Sequence, residues 1–458
     1  MAALEYARDN RKAALERFEE FLRIPTVSAV PEHAGDMHEG ARWLADRMRA
    51  SGIGDVRVDE TSGHPVVFGR FGAASDGAPT VLVYGHYDVQ PPDPLELWVS
   101  PPFEPSFRDG AIYARGASDD KGQLLAHVNA ADAYHNTVGA PPVNVLYVFE
   151  GEEEIGSPSL DEWLREHAAE LAADVAVISD TAMVGSGTPS IVYGLRGLAY
   201  LELELIGPNR DLHSGQFGGA VRNPANALCA MIAALHDEQG RITVPGFYDA
   251  VRILGADERE QLSKVPFDYA AFEAATGGAG GWGEEGFTIV ERLGARPSLD
   301  VNGLWSGWTG AGAKTVLPAR AHAKISMRLV PEQEPDEIAT AVTDYLQSLT
   351  PDGMTLEVRR LHGGHAALID TSSAGVRAAA RAYERSYGRA PVFTLEGGSI
   401  PVVSQLERIL GLQTVLMGFG LPDDNLHAPN EKHDIENFHL GTETVIEFLA
   451  ALADEGAA

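Results

Sequence analysis

The segment Thr80-Val81-Leu82-Val83-Tyr84-Gly85-His86-Tyr87-Asp88 joins a continuous apolar run to a histidine and an aspartate. Such a run is typical of a strand that is covered on both faces, as in the parallel sheets of α/β proteins. Similar runs recur at 143–149, 175–178 and 414–417. Segments with helical spacing lie among them, at 121–134, 160–171, 374–387 and 438–452. This alternation predicts an α/β domain with a mostly parallel sheet flanked by helices.

The middle of the chain has a different pattern. Residues 201–205 and 323–329 alternate strictly between apolar and polar, which is typical of a sheet with one face in solvent. Helical segments at 224–238 and 335–349 are candidates to cover the other face. We therefore expect a smaller α+β domain at 197–365, inserted into a larger domain formed by 1–196 and 366–458.

Two local features give further expectations. Residues 4–22 have apolar residues near helical spacing, which predicts one helix that ends before Pro25. Cys229 is the single cysteine, so an internal disulfide and any multi-cysteine metal site are excluded. Because Cys229 lies in an apolar helical run, we expect a buried structural thiol rather than a nucleophile.

The composition restricts the partners of the protein. The 458 residues include 35 Lys and Arg against 66 Asp and Glu, a formal net charge of −31. Such a chain repels phosphate groups, which argues against nucleic acid and anionic membranes as partners. The amino-terminal segment is charged and lacks the apolar run of a secretory signal. We expect a cytoplasmic protein with neither nucleic acid nor membrane partners.

Acidic residues and histidines follow the predicted strands. These residues are His86 and Asp88 after the first strand, 150–154 after the second, Asp180 after the third and His427 after the last. Asp119 precedes a predicted helix. Taken singly, they have ordinary interpretations: a helix N-cap, a surface histidine or a solvated run of glutamates. Open α/β sheets, however, bind ligands at the carboxyl ends of their strands, where these residues converge.

Together, these residues match the needs of a dinuclear metal site. Two divalent cations are balanced by three carboxylates and a bridging hydroxide, with two neutral imidazoles added. Nitrogen and oxygen ligands without a thiolate suit Zn²⁺, and Mn²⁺ or Co²⁺ less strongly. Such a pair of ions lowers the pKa of a bridging water and polarises a carbonyl group.

Other catalytic signatures fail on inspection. The sequence has no Gly-x-Ser-x-Gly nucleophile elbow and no His-Glu-x-x-His helix. Residues 310–315 look like a phosphate-binding loop, but Ala313 interrupts the Gly-Lys-Thr adjacency that this loop requires. Metal-assisted hydrolysis is therefore the leading enzymatic interpretation.

Six segments, in this order along the chain, resemble motifs of the M20 metallopeptidase family, in particular its carnosinase-like and Cys-Gly dipeptidase-like branch. They are Gly85-His86-Tyr87-Asp88-Val89-Gln90-Pro91, 115–122, 150–157, 211–215, 313–318 and 396–401. The resemblance implies a zinc-peptidase-like α/β domain with an inserted lid, which also serves dimerisation.

The resemblance also implies a ligand set for two divalent metal ions. Asp119 would bridge them. His86 and Asp180 would complete the coordination of one ion, and Glu154 and His427 that of the other.

Glu153 is implied as the general base, which takes a proton from the bridging water and passes it to the leaving amine. Asp88 is implied to orient His86, although a loop-capping aspartate is an equal alternative on the sequence alone. Because Glu152, Glu153 and Glu154 are consecutive, only the following Gly156-Ser157 of the motif fixes the register. Glu152 receives no role.

Substrate contacts are implied in the lid and at its hinge. Arg328, together with Gly398 and Ser399, would hold a free α-carboxylate. For Arg328 alone, a solvated strand face is an equal alternative. Thr315 and His213 would assist the substrate and stabilise the oxyanion. In dimeric relatives this histidine comes from the partner subunit, so we expect a homodimer with His213 contributed across the interface.

The resemblance implies a dinuclear metal-dependent hydrolase that cleaves dipeptides with a free C-terminal carboxylate. A long insertion at 240–304 favours the dipeptidase-like branch over shorter acylases. An aminoacylase or N-carbamoyl amino acid amidohydrolase on the same scaffold is the alternative, and a metal-binding protein without turnover ranks last. The preferred side chains, the resident metal, the reason for the negative charge and any role of His362 and His365 stay open.

Overall fold

The computed structural model of the chain describes residues 1–278, 280–398 and 400–456. These residues form two compact units. Unit 1 contains Met1–Tyr193, Ile369–Thr394 and Pro401–Ala458, and unit 2 contains Gly194–Leu368 and Leu395–Ile400. The predicted insertion at 197–365 lies within unit 2, which also includes the short Leu395–Ile400 segment.

The helices and strands follow one another along the chain. Unit 1 begins with α1 (Ala2–Asp9), α2 (Arg11–Leu22), α3 (Ala34–Ala50), β1 (Gly54–Asp59), β2 (Val66–Phe71), β3 (Thr80–His86), β4 (Ser106–Arg108), β5 (Ala111–Tyr113), α4 (Gly122–Thr137), β6 (Asn144–Glu150), α5 (Leu160–His167), β7 (Val175–Ile178) and β8 (Ser190–Leu195). The next elements are β9 (Gly197–Ile206), β10 (Leu212–His213), α6 (Ser214–Phe217), α7 (Pro224–Ala233), α8 (Ala256–Ser263), α9 (Tyr269–Ala275), α10 (Ile289–Gly294), β11 (Ser298–Ser306), β12 (Val316–Leu317), β13 (Arg320–Leu329), α11 (Pro335–Leu349), β14 (Thr355–Gly364) and β15 (Ala367–Leu368). The chain ends with α12 (Ala374–Tyr387), β16 (Val392–Glu396), α13 (Pro401–Gln405), β17 (Thr414–Leu416), β18 (Lys432–Asp434) and α14 (Ile435–Gly456).

Unit 1 is built on a sheet whose strands follow the order β1-β2-β6-β3-β7-β17-β8. The predicted buried strands are present as β3, β6, β7 and β17, and the pairs among these four are parallel. The outer pairs, β1 with β2, β2 with β6 and β17 with β8, are antiparallel. The prediction of a mostly parallel α/β sheet is therefore confirmed for the centre, while the edges are antiparallel.

Helices cover this sheet because their apolar faces are large. Helix α4 is buried from Gly122 to Tyr134, although this stretch includes polar residues such as His127 and Asp132. It contacts β3 on one side and α1 and α14 on the others. Helix α3 contacts β1 and β2, and α12 contacts β17 and α14. In the part of the chain that the structure describes, no helix has both the length and the hydropathy of a membrane span.

Unit 2 contains a four-stranded antiparallel sheet in the order β11-β13-β9-β14. Leu201, Leu203 and Leu205 of β9 are buried, whereas Glu202 and Glu204 face outward, so the predicted alternation is present. Helices α7 and α11 cover the buried face, because α7 contacts β13 and β9 while α11 contacts β9 and β14. The core of unit 2 is formed by these leucines and the apolar residues of the two helices.

Two local expectations are wrong. The helix expected at 4–22 is divided at Asn10, whose side-chain amide donates a hydrogen bond to the carbonyl of Tyr6 at 2.8 Å. The backbone N–H of Asn10 donates to the same carbonyl at 3.0 Å, and the two helices are separated by the non-helical dihedral angles of Asn10, φ −105° and ψ 16°. Cys229 is exposed rather than buried, because α7 covers the sheet with one face and turns Cys229 to the other.

Candidate metal centre

Neighbouring parallel strands bring the predicted ligands to one edge of the unit 1 sheet. His86 is the last residue of β3, and it lies opposite Glu150 at the end of β6. Glu153 and Glu154 follow β6 in a single helical turn, Glu153–Ile155. Asp180 comes directly after β7, which is the other neighbour of β3. The carboxyl ends of these strands therefore form the crevice that α/β sheets use for ligands.

The first group of donor atoms comprises His86, Asp119 and Asp180. The Nε2 atom of His86 lies 3.0 Å from Oδ1 of Asp119 and 3.7 Å from Oδ2 of Asp180. This Nε2 atom is buried, yet it makes no well-formed hydrogen bond to a described residue. A buried nitrogen that is surrounded by carboxylate oxygens in this way is suited to ligate a cation.

The second group comprises Asp119, Glu154 and His427. The Nε2 atom of His427 lies 2.9 Å from Oδ2 of Asp119 and 3.2 Å from Oε2 of Glu154. Asp119 thus contributes one oxygen to each group, which is the arrangement expected of a bridging carboxylate. The sequence-predicted set of five is brought together, and its assignment as a ligand set stays a prediction.

The charges of the two groups influence each other strongly. Hydrogen bonds from His427 to the carboxylates of Asp119 and Glu154 raise the pKa of His427 to about 10. Burial raises the pKa of Asp119, but the hydrogen bond from His427 and the positive charge of the adjacent His86 outweigh this effect and lower that pKa. Burial raises the pKa of Glu153 well above its ordinary value, and the charges of Asp180 and Asp119 add to this effect. The two donor groups together hold three carboxylates and two imidazoles. Their excess of negative charge suits divalent cations.

Asp88 connects the end of β3 with the turn after β6. Its buried Oδ1 lies 3.3 Å from Nδ1 of His86 and accepts the N–H of Glu153 at 3.2 Å. Its Oδ2 accepts the N–H of Glu154 at 3.1 Å and the hydroxyl of Ser28 at 2.7 Å. One carboxylate therefore lies beside the histidine that it is predicted to orient and also holds the backbone of the two glutamates predicted as base and ligand.

Glu152 differs from its two neighbours in what it binds. Its carboxylate is buried and accepts the N–H of His64 at 2.9 Å and that of Ser159 at 3.0 Å. Glu152 thus stabilises the loop before β2 and the start of α5. Glu154 belongs to the second donor group, and Glu153 is close enough to Asp180 and Asp119 for their charges to raise its pKa. The register taken from the motif stays a prediction.

Gln90 is a neighbour of the site that the sequence did not reveal. Its side-chain amide donates to Oε2 of Glu154 at 2.8 Å and to the carbonyl of Glu154 at 3.2 Å. Gln90 lies in the loop after β3, and an amide in a loop has no spacing that would indicate such a contact.

Within unit 2, the structure brings His213 and Thr315 together. Strand β10 pairs with β12, and the N–H of Ser214 donates to the carbonyl of Thr315 at 3.1 Å. His213 is exposed, and its Nδ1 accepts the N–H of Gly215 at 3.0 Å. Their substrate roles stay predictions.

Arg328 and Gly398 both lie near Arg196, which sequence reasoning missed. Arg196 donates from its backbone N–H to the carbonyl of Gly398 and from Nε to the carbonyl of Gly397, each at 3.2 Å. Burial lowers the pKa of Arg196 to about 10, and the charge of Arg328 lowers it further. The predicted substrate residue Ser399 lies outside the described residues.

The two histidines whose roles were left open make ordinary contacts in unit 2. His362 packs edge-to-face against Tyr200, and Nδ1 of His365 lies 3.2 Å from Oε2 of Glu334. Neither contact involves a predicted site residue.

Comparison with known proteins identifies the family. The sequence profile described as Peptidase family M20/M25/M40 matches residues 82–451. The chain belongs to this family. The match includes the strands that carry the candidate ligands, and the prediction of an M20-type metallopeptidase is confirmed.

Two curated relatives of more than 30% sequence identity are named as dipeptidases. The Cys-Gly metallodipeptidase DUG1 of Candida albicans is 34% identical, over 95% of this chain and 93% of its own length. The human Beta-Ala-His dipeptidase is 32% identical, over 85% of this chain and 78% of its own length. A solved structure of an M20 family metallo-carboxypeptidase, Sso-CP2 from Sulfolobus solfataricus, has a TM-score of 0.85 and 33% identity, and the match covers 96% of this chain and 99% of that one. A family member from Bacillus subtilis is a dinuclear metal binding peptidase.

If each donor group holds one ion, the contributions of the two groups to metal binding can be separated. Replacing His427 with Ala removes one ligand from the second group and leaves all three ligands of the first. We therefore expect H427A to retain one tightly bound Zn²⁺ per chain where the wild type retains two, measured as metal content after dialysis. The affinity of the weakened position should fall by more than the roughly 10–100-fold that loss of an outer partner of a ligand costs.

The matched control is H167A. His167 also lies beside carboxylates, with Nε2 3.8 Å from Asp59 and 3.7 Å from Glu170, but it is not in either donor group. H167A should keep two ions. Two ions bound with unchanged affinity in H427A would contradict the assignment of His427.

Proposed function

We propose that the chain is a dinuclear metal-dependent dipeptidase that cleaves dipeptides with a free C-terminal carboxylate. The observation that carries the proposal is Asp119, whose two oxygens meet two different histidines in two donor groups. The similarity to a Cys-Gly metallodipeptidase and to a Beta-Ala-His dipeptidase supports a dipeptide as the substrate. Nitrogen and oxygen donors without sulfur support Zn²⁺ as the metal, before Mn²⁺ or Co²⁺. The absence of cysteine pairs from the sequence supports a cytoplasmic location.

The proposed reaction adds water across the peptide bond. Two divalent ions held by the donor groups would polarise the scissile carbonyl and lower the pKa of a water. Glu153, which is not a member of either group, takes a proton from the attacking water and returns it to the leaving amine. Asp88 holds the backbone N–H of Glu153, so the base is fixed from its main chain while its side chain can exchange the proton.

Substrate recognition is proposed for residues of unit 2. Arg328 offers two parallel N–H donors to the substrate α-carboxylate, a geometry that a guanidinium provides well. Backbone N–H groups at Gly398 and Ser399 would bind the same carboxylate. His213 and Thr315, which neighbour each other across β10 and β12, would stabilise the oxygen of the scissile carbonyl as it gains charge.

A panel of small substrates tests the activity directly. The metal-loaded protein should hydrolyse free dipeptides such as Cys-Gly and β-Ala-His, and chelation should abolish the cleavage. Amidation of the C-terminus should lower kcat/KM, because the carboxylate is the proposed contact of Arg328. Cleavage of N-acyl or N-carbamoyl amino acids in place of free dipeptides would move the function to the alternative reaction class.

The base assignment is tested by replacing Glu153 with Gln. Because Gln cannot accept the proton, kcat should fall by about 10²–10⁴-fold, while metal content stays at two ions per chain. The matched control is E152Q at the neighbouring position. Glu152 binds the backbone of His64 and Ser159. E152Q should therefore lower the melting temperature, while kcat stays close to that of the wild type. Retained turnover in E153Q would contradict the proposal.

We also propose that the active form is a homodimer in which His213 acts in the site of the partner. Strand β11 supports this, because it is an edge strand that pairs with β13 on one side in the described sheet. It carries the exposed apolar residues Val301, Leu304 and Trp305. An exposed apolar edge strand is a ready surface for pairing with a second copy of the chain.

Mixing two inactive variants distinguishes action across the dimer from action within one chain. After H213A and E153Q are mixed and their subunits exchanged, half of the dimers combine both chains. Each mixed dimer has one site with an intact Glu153 and an intact partner His213, so about a quarter of wild-type activity should return. If His213 acts within its own chain, no activity returns. The two variants assayed separately are the controls.

A further inference from the structure

Glu431 has a buried carboxylate that belongs to neither donor group. Its Oε2 accepts the N–H of Gly116 at 2.9 Å and Nη1 of Arg115 at 2.7 Å. Its Oε1 accepts the N–H of Ser118 at 3.0 Å and that of Asp119 at 3.1 Å. The side chains of Glu431 and Arg115 are both almost completely inaccessible to solvent. Four donors, three of them from the backbone, therefore saturate one carboxylate.

These donors belong to the segment that ends at the shared ligand. Gly116 has a left-handed backbone with φ of +82°, and a Cβ atom there would approach Val89 Cγ1 to 2.5 Å, so the chain turns sharply at this glycine. Ser118 and Asp119 follow the turn, and Glu431 binds both of their N–H groups with one oxygen. The position of Asp119 is thus fixed at its own backbone nitrogen.

Glu431 also lies at the end of the loop that carries His427. The N–H of Lys432 donates to the carbonyl of Asp424 at 3.0 Å and closes this loop. The preceding residue, Asn430, accepts the N–H of Val99 and donates to the carbonyl of Leu97, each at 2.8 Å. The carbonyl of Glu431 accepts the N–H of Ala114 at 3.1 Å. Glu431 is therefore connected through both its backbone and its side chain to the segment that carries Asp119.

We propose that Glu431 is a positioning residue for the metal centre: its carboxylate fixes the backbone of Asp119 so that both of that residue's oxygens remain available as ligands. This inference rests on the proposed metal-dependent function. It predicts that loss of the carboxylate weakens both metal positions, because Asp119 is shared, whereas disturbance of the His427 loop alone weakens one.

The conservative change Glu431→Gln tests this role. A glutamine has the same shape, but its NH₂ group must face N–H donors on one side of the four-donor pocket, since an amide nitrogen does not accept hydrogen bonds. The expected result is a loss of affinity of about 10–100-fold at both metal positions, the range found for outer partners of metal ligands. Stepwise Zn²⁺ titration against a chelator of known affinity measures the two positions separately, without any assay of turnover.

The matched control is Asp132→Asn. Asp132 is also a buried carboxylate that pairs with an arginine, accepting Nη2 of Arg47 at 2.8 Å, but it contacts no residue of the metal centre. Both variants should show lower melting temperatures, and only E431Q should bind metal more weakly when the titration is done well below those temperatures. Equal affinities in E431Q, D132N and the wild type would overturn the proposal, as would a loss confined to one metal position.

A second measurement uses the wild type and does not depend on the folding of any variant. If Glu431 fixes the segment, the amides of Ser118 and Asp119 should resist hydrogen exchange in the metal-free protein as well as in the loaded one. Rapid exchange of both amides before metal is added would overturn the proposal. A wild type that binds no metal would overturn the proposed function and this inference together. A wild type that binds two ions without cleaving dipeptides would overturn the proposed function alone, and the E431Q titration would still decide the role of Glu431.

Discussion

Repulsion between carboxylates at one edge of a parallel sheet is the constraint on which unit 1 depends. Strands β6, β3 and β7 run side by side, so the acidic residues at their carboxyl ends are forced into one crevice. Asp119 joins them from the start of the segment before α4. Two imidazoles and several N–H donors compensate part of this charge, but a buried cluster of this kind needs cations as well. The fold therefore places several carboxylates close enough together to attract a pair of divalent cations.

The backbone, rather than side-chain packing, holds most of the candidate ligands. His86 is fixed by the register of β3, Glu154 by the bond between its N–H and Asp88, and Asp119 by the bond between its N–H and Glu431. When a candidate ligand is held at its main chain, its carboxylate oxygens are not needed to fix its position and can contact an ion. A shift of the carboxylate that accepts this backbone N–H would also move the candidate ligand, because only a short side chain separates the backbone from the ligand atoms. Residues that never touch an ion can for this reason govern how well the ion is bound.

Much of this arrangement was predictable because it follows from patterns that are local in the chain. Continuous apolar runs indicated the central parallel strands, and ligating residue types directly after those runs indicated the site. The exposure of Cys229 was not predictable in the same way, since an apolar helical run does not reveal that α7 covers a sheet with only one face. Glu431 was missed because its partners are backbone N–H groups more than 300 residues away, as with Ser118 and Asp119. Every residue except proline has a backbone N–H group, so a sequence pattern cannot reveal which of these groups donates to a distant carboxylate.

Four carboxylates at or beside the candidate metal centre differ in the donors that contact their oxygens. Those of Glu431, Glu152 and Asp88 are taken up by backbone N–H groups, with further bonds from side chains. Their lone pairs are committed to the fold, and a metal ion would have to break these bonds to use them. Asp119 meets imidazole nitrogens instead, which are themselves metal ligands and can turn toward an ion without loss to the backbone. This difference, rather than residue type, distinguishes a candidate ligand from a carboxylate that holds the backbone. Glu152 and Glu154 are chemically identical and two positions apart, and only the fold around them places one on backbone N–H groups and the other in a candidate donor group.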